Sequence, residues 1–152
     1  MTAMHVTPPV KGGPIFQEIA RFRGILFDAL LRPHNLTMAQ GWALSLLMRE
    51  EGLRQADLAD RLNIATVTTS KLIDRLEARG FVQRRADPDD RRTNRIYATD
   101  SARALFDTIT SARREVDAMA NAGIDADQLE AAMTVLDQMR RNLKAALGDR
   151  DD

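Results

Sequence analysis

The sequence has no cysteine, which removes disulfides, thiolate nucleophiles, iron–sulfur clusters and thiol redox sensing in one step. Histidine is nearly as scarce. His5 and His34 are the only two, too few for a zinc site or a histidine-based catalytic relay. No apolar run approaches the roughly 18 to 20 residues of a membrane span. The opening stretch "MTAMHVTPPVKGGP" also lacks the apolar segment of a secretory signal, so the chain reads as cytoplasmic, with no membrane partner. Eight Gly and five Pro in 152 residues are too few for a low-complexity chain. Net charge is missing too: 22 Lys and Arg cancel 22 Asp and Glu, which excludes a coat protein that holds nucleic acid by bulk positive charge. No P-loop, nucleophile–base pair or cluster of metal ligands appears, so neither an enzyme nor a cofactor is expected.

What remains is a soluble globular chain, 44% hydrophobic and 29% charged. Its length suits one domain with an oligomerisation appendage. Residues 1–13, with Pro8, Pro9, Gly12 and Gly13, read as an extended arm. From Pro14 the apolar residues Ile15, Ile19, Phe22, Leu26 and Ala29 step by four and three, the spacing of a helix, and Pro33 ends it. A second helix is predicted from a Thr37 cap to about Glu51, with Gly52 as its stop. Residues 54–62 form a two-turn helix with Arg54 at the cap position, where it is a poor capping residue. Residues 65–79 form a longer helix stopped by Gly80, with Thr69, Leu72, Ile73 and Leu76 facing inward and Val67, Thr68, Lys71, Arg75 and Ala78 outward.

The period then changes. "FVQRRA", "DPDDRR" and "TNRIYAT" read as strand, turn and strand, the chain's one β-hairpin. Asp100 or Ser101 caps a fifth helix with apolar positions 102, 105, 109, 112, 116 and 119, a seam as narrow as that of a coiled coil. Gly123 breaks it. A sixth helix runs from about Ala126 to Leu147 with Leu129, Met133, Leu136, Leu143 and Leu147 on one face. The fold class is therefore mainly α with one β-hairpin wing: a winged helix-turn-helix over residues 36–100, and a helical dimerisation region made of residues 14–35 and 101–152.

In such a fold the second helix of the pair can enter a major groove while the hairpin reaches the flanking backbone or minor groove. The charge distribution agrees. Residues 1–65 carry a net +1, residues 66–100 a net +2 and residues 101–152 a net −3, and seven of the eight basic residues in the middle segment are arginines. Arginine is the residue suited to bidentate phosphate and guanine contacts and to narrow minor grooves. The outer helices carry apolar seams that so small a head cannot cover, which points to a second copy of the chain. A two-fold dimer would read a pseudo-palindrome with half-sites about 10 base pairs apart.

The stretch "LTMAQGWALSLL…GLRQADLADRLNIATVTTSKLIDRLEARGFVQRRADPDDRRTNRIYATDSA" resembles the MarR/SlyA family of bacterial transcriptional regulators over residues 36–102. The most specific part is "LIDRLEARGFVQRRADPDDRR". Two departures are visible. Ala102 stands where a glycine is usual, and Arg54 stands where the family has a small polar cap.

The resemblance implies a homodimer on double-stranded DNA, with the terminal helices interlocked and two wings straddling the duplex. Lys71 matches a basic recognition-helix position. Thr66, Val67, Thr68 and Ser70 lie near that helix's start, where hydroxyls can bond phosphate or bases and Val67 can touch a thymine methyl. Arg92 matches the wing arginine expected in the minor groove, and Asp90 is placed to orient it. Arg75 is a further groove or phosphate candidate, and Arg84, Arg85, Arg91 and Arg95 suit the phosphate backbone. A plainer reading stands beside each: a solvated arginine, a turn-forming Asp90, a generic phosphate contact at Lys71.

The resemblance also implies a small aromatic or phenolic effector and a repressor that it releases. The candidate lining is Phe16, Phe22, Arg23, His34, Met38, Trp42 and Phe106, although an aromatic stripe at helical spacing is more often core. The competing function is a winged helix used as a protein-interaction module, in which the "DPDDRR" tip and the clustered arginines have no purpose.

Overall fold

The computed structural model describes residues 14–148, so the expected N-terminal arm lies outside the described residues. Helix α1 (Ile15–Leu31) ends where the sequence places its stop, in a short 3₁₀ turn, Arg32–His34, that contains Pro33. The corner is latched by Asp28, whose carboxylate accepts the Met38 N–H at 3.0 Å and the Arg32 guanidinium at 3.2 Å. Helix α2 (Met38–Arg49) starts on Thr37 in a reciprocal capping box: Thr37 Oγ1 accepts the Gln40 N–H, and Gln40 Oε1 accepts the Thr37 N–H.

Strand β1 (Leu53–Arg54) leads into α3 (Gln55–Leu62), and Asn63, at φ 53°, turns the chain into α4 (Thr66–Ala78). Thr69, Leu72, Ile73 and Leu76 are the buried residues of α4, the set that its periodicity marks. Gly80 stops it at φ 75°, a conformation that glycine adopts without the Cβ penalty. Strands β2 (Val82–Ala86) and β3 (Asn94–Ala98) form the hairpin, with Arg85 opposite Arg95.

Three expectations need correction. The hairpin is not the whole sheet: β1 adds a third antiparallel strand in the order β1-β3-β2, with Leu53 opposite Ile96 and Arg54 opposite Arg95. A strand of two residues has no period of its own, and only its partner reveals it. The cap after the hairpin is neither Asp100 nor Ser101 but Thr99, whose Oγ1 accepts the Ala102 N–H and donates to the Gly80 carbonyl. The helix it starts is also not continuous. It divides into α5 (Asp100–Arg103) and α6 (Phe106–Asn121), because at Leu105 the backbone bond tightens to the Ala102 carbonyl, three residues back. Gly123, at φ 76°, ends the next turn, and α7 (Ala126–Gly148) closes the described chain.

The described residues divide into two compact units, one ending at Val116 and one beginning at Asp117. In the first, Phe27 and Leu31 of α1, Ala43, Leu44 and Leu47 of α2, Leu58 of α3, the inner face of α4, Val82, Ile96 and Ile109 build one core. In the second, α7 buries no residue at all. No helix among the described residues is long and apolar enough to cross a membrane.

Candidate nucleic-acid interface

The outward face of α4 is uncovered. Thr66, Val67, Thr68, Lys71 and Arg75 are exposed and Ser70 is half-buried, because the 3.6-residue period that buries Thr69, Leu72 and Ile73 turns these away from the core. Val67 keeps 68% of its surface, an apolar side chain held out at the very start of the helix. No side chain caps that start: Ala65 occupies the cap position, so the first-turn N–H groups stay open to an anion. Among the described residues, neither Lys71 nor Arg75 enters an ion pair.

The wing tip is organised by carboxylates. Asp90 Oδ1 accepts the Arg92 N–H at 3.0 Å and its Oδ2 accepts the Thr93 hydroxyl at 3.2 Å. Asp90 therefore shapes the backbone that carries Arg92 and does not hold the Arg92 guanidinium. Arg91 and Arg92 are exposed at the tip, and neither forms an ion pair among the described residues.

The other wing arginines are engaged. Arg84, with its side chain 19% exposed, pairs with Asp74 at 2.6 Å and Glu77 at 2.9 Å and donates to the Ser70 carbonyl, fastening β2 to α4. Arg95 donates to Asp87 at 2.9 Å and to the Gly52 carbonyl at 3.0 Å. Arg85 lies over the Tyr97 ring, 4.3 Å from its centre, and remains exposed. The cations expected to grip phosphate thus fall into two sets: Lys71, Arg75, Arg85, Arg91 and Arg92 without ion pairs among the described residues, and Arg84 and Arg95 used as internal struts.

Sequence reasoning missed two members of this frame. Asp87, read as a turn residue, has a fully buried side chain whose Oδ2 accepts both Arg54 Nε and Arg95 Nε at 2.9 Å, while Oδ1 accepts the Asp89 N–H. The Asp89 N–H and the two guanidiniums hold its carboxyl below the usual carboxylate range, against the opposing effect of burial. Arg54 is its other half, and the sequence signal was present: a poor helix cap at a cap position has another task. Arg79 is a further strut, donating to the Asn35 carbonyl at 2.5 Å and lying over the Phe81 ring.

The proposed effector residues scatter. Phe16, Phe22 and Phe106 are exposed on helix faces, Arg23 is half-buried on α1, and Met38 packs against Gly24. His34 edges a polar hollow of about 450 Å³ beside Asp107 and Glu115. Trp42 alone borders a second cavity of about 270 Å³, with Phe27, Leu46 and Leu62 as apolar wall and Arg49, Arg61 and Arg113 as cations. The Phe27 and Trp42 rings stack there at 6.3 Å, and Arg61 is paired with Glu50 at 2.6 Å, so Arg49 and Arg113 are the cations left without an ion pair among the described residues. No group of His, Cys, Asp or Glu among the described residues could hold a metal ion.

Known proteins resemble the chain at both levels. The MarR family model matches residues 36–93. The HTH-type transcriptional regulator TtmR of Methylorubrum extorquens (strain PA1) is 34% identical over 128 residues, covering 84% of this chain, which spans 65% of that protein's length. The HTH-type transcriptional regulator YdgJ of Bacillus subtilis (strain 168), itself uncharacterized, is 26% identical over 127 residues, 84% of this chain and 76% of its own. A solved MarR transcriptional regulator from Methanosarcina mazei Go1 superposes with a TM-score of 0.78 at 25% identity, over 88% of this chain and 96% of that one.

Proposed function

We propose that the chain is a member of the MarR family of winged-helix transcriptional regulators, which it resembles in sequence, and that it binds double-stranded DNA as a homodimer and represses transcription until a small aromatic acid releases it. The observation that carries the DNA-binding reading is the division among the cations. Among the described residues Lys71 and Arg75 on α4 and Arg91 and Arg92 at the wing tip face outward without ion pairs, while Arg54, Arg84 and Arg95 are spent on holding those two elements in place. A protein-interaction module would leave the tip arginines without a task. The members of this family are regulators and not enzymes, and a regulator of transcription works in the cytoplasm of a bacterial cell.

Each α4 helix would lie in a major groove, with Thr66, Val67, Thr68, Ser70 and Lys71 toward the bases and Arg92 in the adjacent minor groove. Two copies related by a two-fold axis would read half-sites about 10 base pairs apart. Arg92→Ala should weaken binding to a duplex selected by the wild-type protein from random DNA by about ten- to a hundredfold, the worth of one well-placed contact. Affinity should also fall steeply with salt as counterions are released. An unchanged affinity in the variant, or a flat salt response, overturns the assignment.

For the effector, the Phe27–Trp42 stack supplies a face for a ring and Arg113 and Arg49 a pair of donors for a carboxylate. Trp42 is the only tryptophan, so its fluorescence reports the cavity directly. Benzoate should quench it saturably and release the selected duplex, and Arg113→Ala should abolish both responses. Quenching without release makes the cavity a ligand site but not the switch.

A further inference from the structure

We propose that Arg54 is a positioning residue for DNA recognition: through the buried carboxylate of Asp87 it fastens the first turn of the helix-turn-helix to the base of the wing, and so sets where Arg92 meets the duplex. The inference rests on the wing being a DNA contact, as proposed above.

The geometry is that of a three-way joint. Asp87 has a side chain with no exposed surface, and a carboxylate so buried stays charged only with charged partners and full hydrogen bonding. It has both. Arg54 and Arg95, which face each other across β1 and β3, each place Nε 2.9 Å from the same oxygen, and the Asp89 N–H fills the other. One carboxylate thus joins the residue before α3, the strand β3 and the descending side of the tip. Arg95 adds a bond to the Gly52 carbonyl.

Removing Arg54 would not undo the wing, since Arg84 still holds β2 to α4 and Arg95 still meets Asp87. It would leave the wing's angle to the start of α3 resting on the two-residue pairing of β1 and the bond from Arg95 to the Gly52 carbonyl, and a small rotation there is magnified at the tip. The cost of keeping arginine at this position is visible as well: Arg54 sits at the cap of α3 and makes no capping hydrogen bond. Serine or threonine would stabilise the helix better. The position forgoes a cap and gains a bond to the wing.

Arg54→Ser separates the two roles, because it restores a capping side chain while breaking the joint. The chain has no cysteine, so Asn94→Cys at the exposed start of β3 takes a single nitroxide label that reports wing mobility without DNA. The expected result has three parts. The melting temperature stays level or rises, the label becomes more mobile, and affinity for a duplex selected by the wild-type protein falls about five- to twentyfold, toward the lower end of the loss expected for a whole base contact.

In the Arg92→Ala background the same change should cost less than about twofold more, because residues that act through one another are not additive. Multiplying losses would mean that Arg54 contacts DNA by itself, and would overturn the proposal. So would an unchanged label mobility, or a loss of affinity that merely tracks a fall in melting temperature. If Arg92→Ala alone leaves affinity unchanged, the wing contact is what has failed. The label mobility then decides Arg54 without it.

Discussion

In the unit ending at Val116, Leu44, Leu47, Leu58, Ile73 and Leu76 are fully buried, whereas in the unit from Asp117 onward Met133, Val135, Leu143 and Leu147 each keep more than half of their surface exposed. The two regions are alike in apolar periodicity and unlike in what that periodicity has found to pack against. Helix α1 shows both behaviours in a single element: Phe27 and Leu31 are buried, while Ile15, Phe16, Ile19, Phe22 and Ile25 stand 43–57% exposed. A globular fold rarely leaves so many large apolar side chains facing water unless another molecule covers them. Stripes on α1 and α7 whose period is that of a packed helix are faces that the proposed homodimer would cover, since a second copy supplies the same faces by symmetry.

The comparison is broken most forcefully by charging the open face. Leu136→Asp together with Leu143→Asp should yield a folded monomer by sedimentation. Affinity for a two-half-site duplex should drop about a hundredfold or more as the second half-site ceases to be an intramolecular event. A double variant that still sediments as a dimer and still binds would show that α7 is not the joining element.

A gentler pair of changes sharpens the same contrast. Leu44→Ala removes a side chain with no exposed surface and should cost about 2–5 kcal/mol, the usual range for a leucine deleted from a core. Leu143→Ala removes one that is 68% exposed. Its effect on the melting temperature should depend on protein concentration, as it does when subunit contact supplies the stability. Equal, concentration-independent losses would put both leucines in a core of the same kind.

Gly41 tests how tightly the first unit is closed. A Cβ there would lie 2.5 Å from Leu31 Cδ1 and 3.3 Å from the Phe27 ring, both buried side chains with little room to give. Alanine gains about 1 kcal/mol in helix propensity over glycine. Overpacking a closed core costs about 1–3 kcal/mol. Gly41→Ala should therefore be neutral to about 2 kcal/mol destabilising by chemical denaturation, and a stabilised variant would mean that α1 and α2 can separate freely.

Much of this was legible from spacing alone, where one period ran long enough to be read. The inward set Thr69, Leu72, Ile73 and Leu76 of α4, the hairpin strands and the stops at Gly80 and Gly123 all follow from local chemistry. What escaped depends on contacts between residues far apart in the chain. β1 exists only because Leu53 and Arg54 meet Ile96 and Arg95, and Thr99 wins the cap from Asp100 partly because its hydroxyl donates a hydrogen bond to the Gly80 carbonyl. In the candidate site the outward face of α4 was readable as a face. The division of wing arginines into tied and untied was not, since Arg84 finds Asp74 and Glu77, and Arg54 finds Asp87, only after folding. The structure does not bring the effector candidates together. An aromatic stripe shows which side of a helix is apolar and says nothing of what faces it, so Trp42 borders a cavity while Phe16 and Phe22 stand exposed on α1.

The smallest effect concerns pH, and it compares one carboxylate from each unit. Asp87 is held below its ordinary value of 3.8 chiefly by the Asp89 N–H, and then by Arg54 and Arg95. Asp137 on α7 is lowered chiefly by Arg140, three residues along the same helix. A carboxyl whose folded value is depressed contributes stability that is fully present above the unfolded value and fades as pH falls through the folded one. Neither group should change stability between pH 5 and 8. Below about pH 4 they should diverge in what is lost. Protonating Asp87 releases a joint between three elements, so the label at residue 94 should gain mobility on acidification. Protonating Asp137 loosens only neighbours on one exposed helix, where such pairs contribute little to stability. Asp87→Asn should make the label mobile already at pH 7 and nearly indifferent to acid, whereas Asp137→Asn should leave its acid response intact. An acid response that survives Asp87→Asn would place the wing's sensitivity in some other carboxylate.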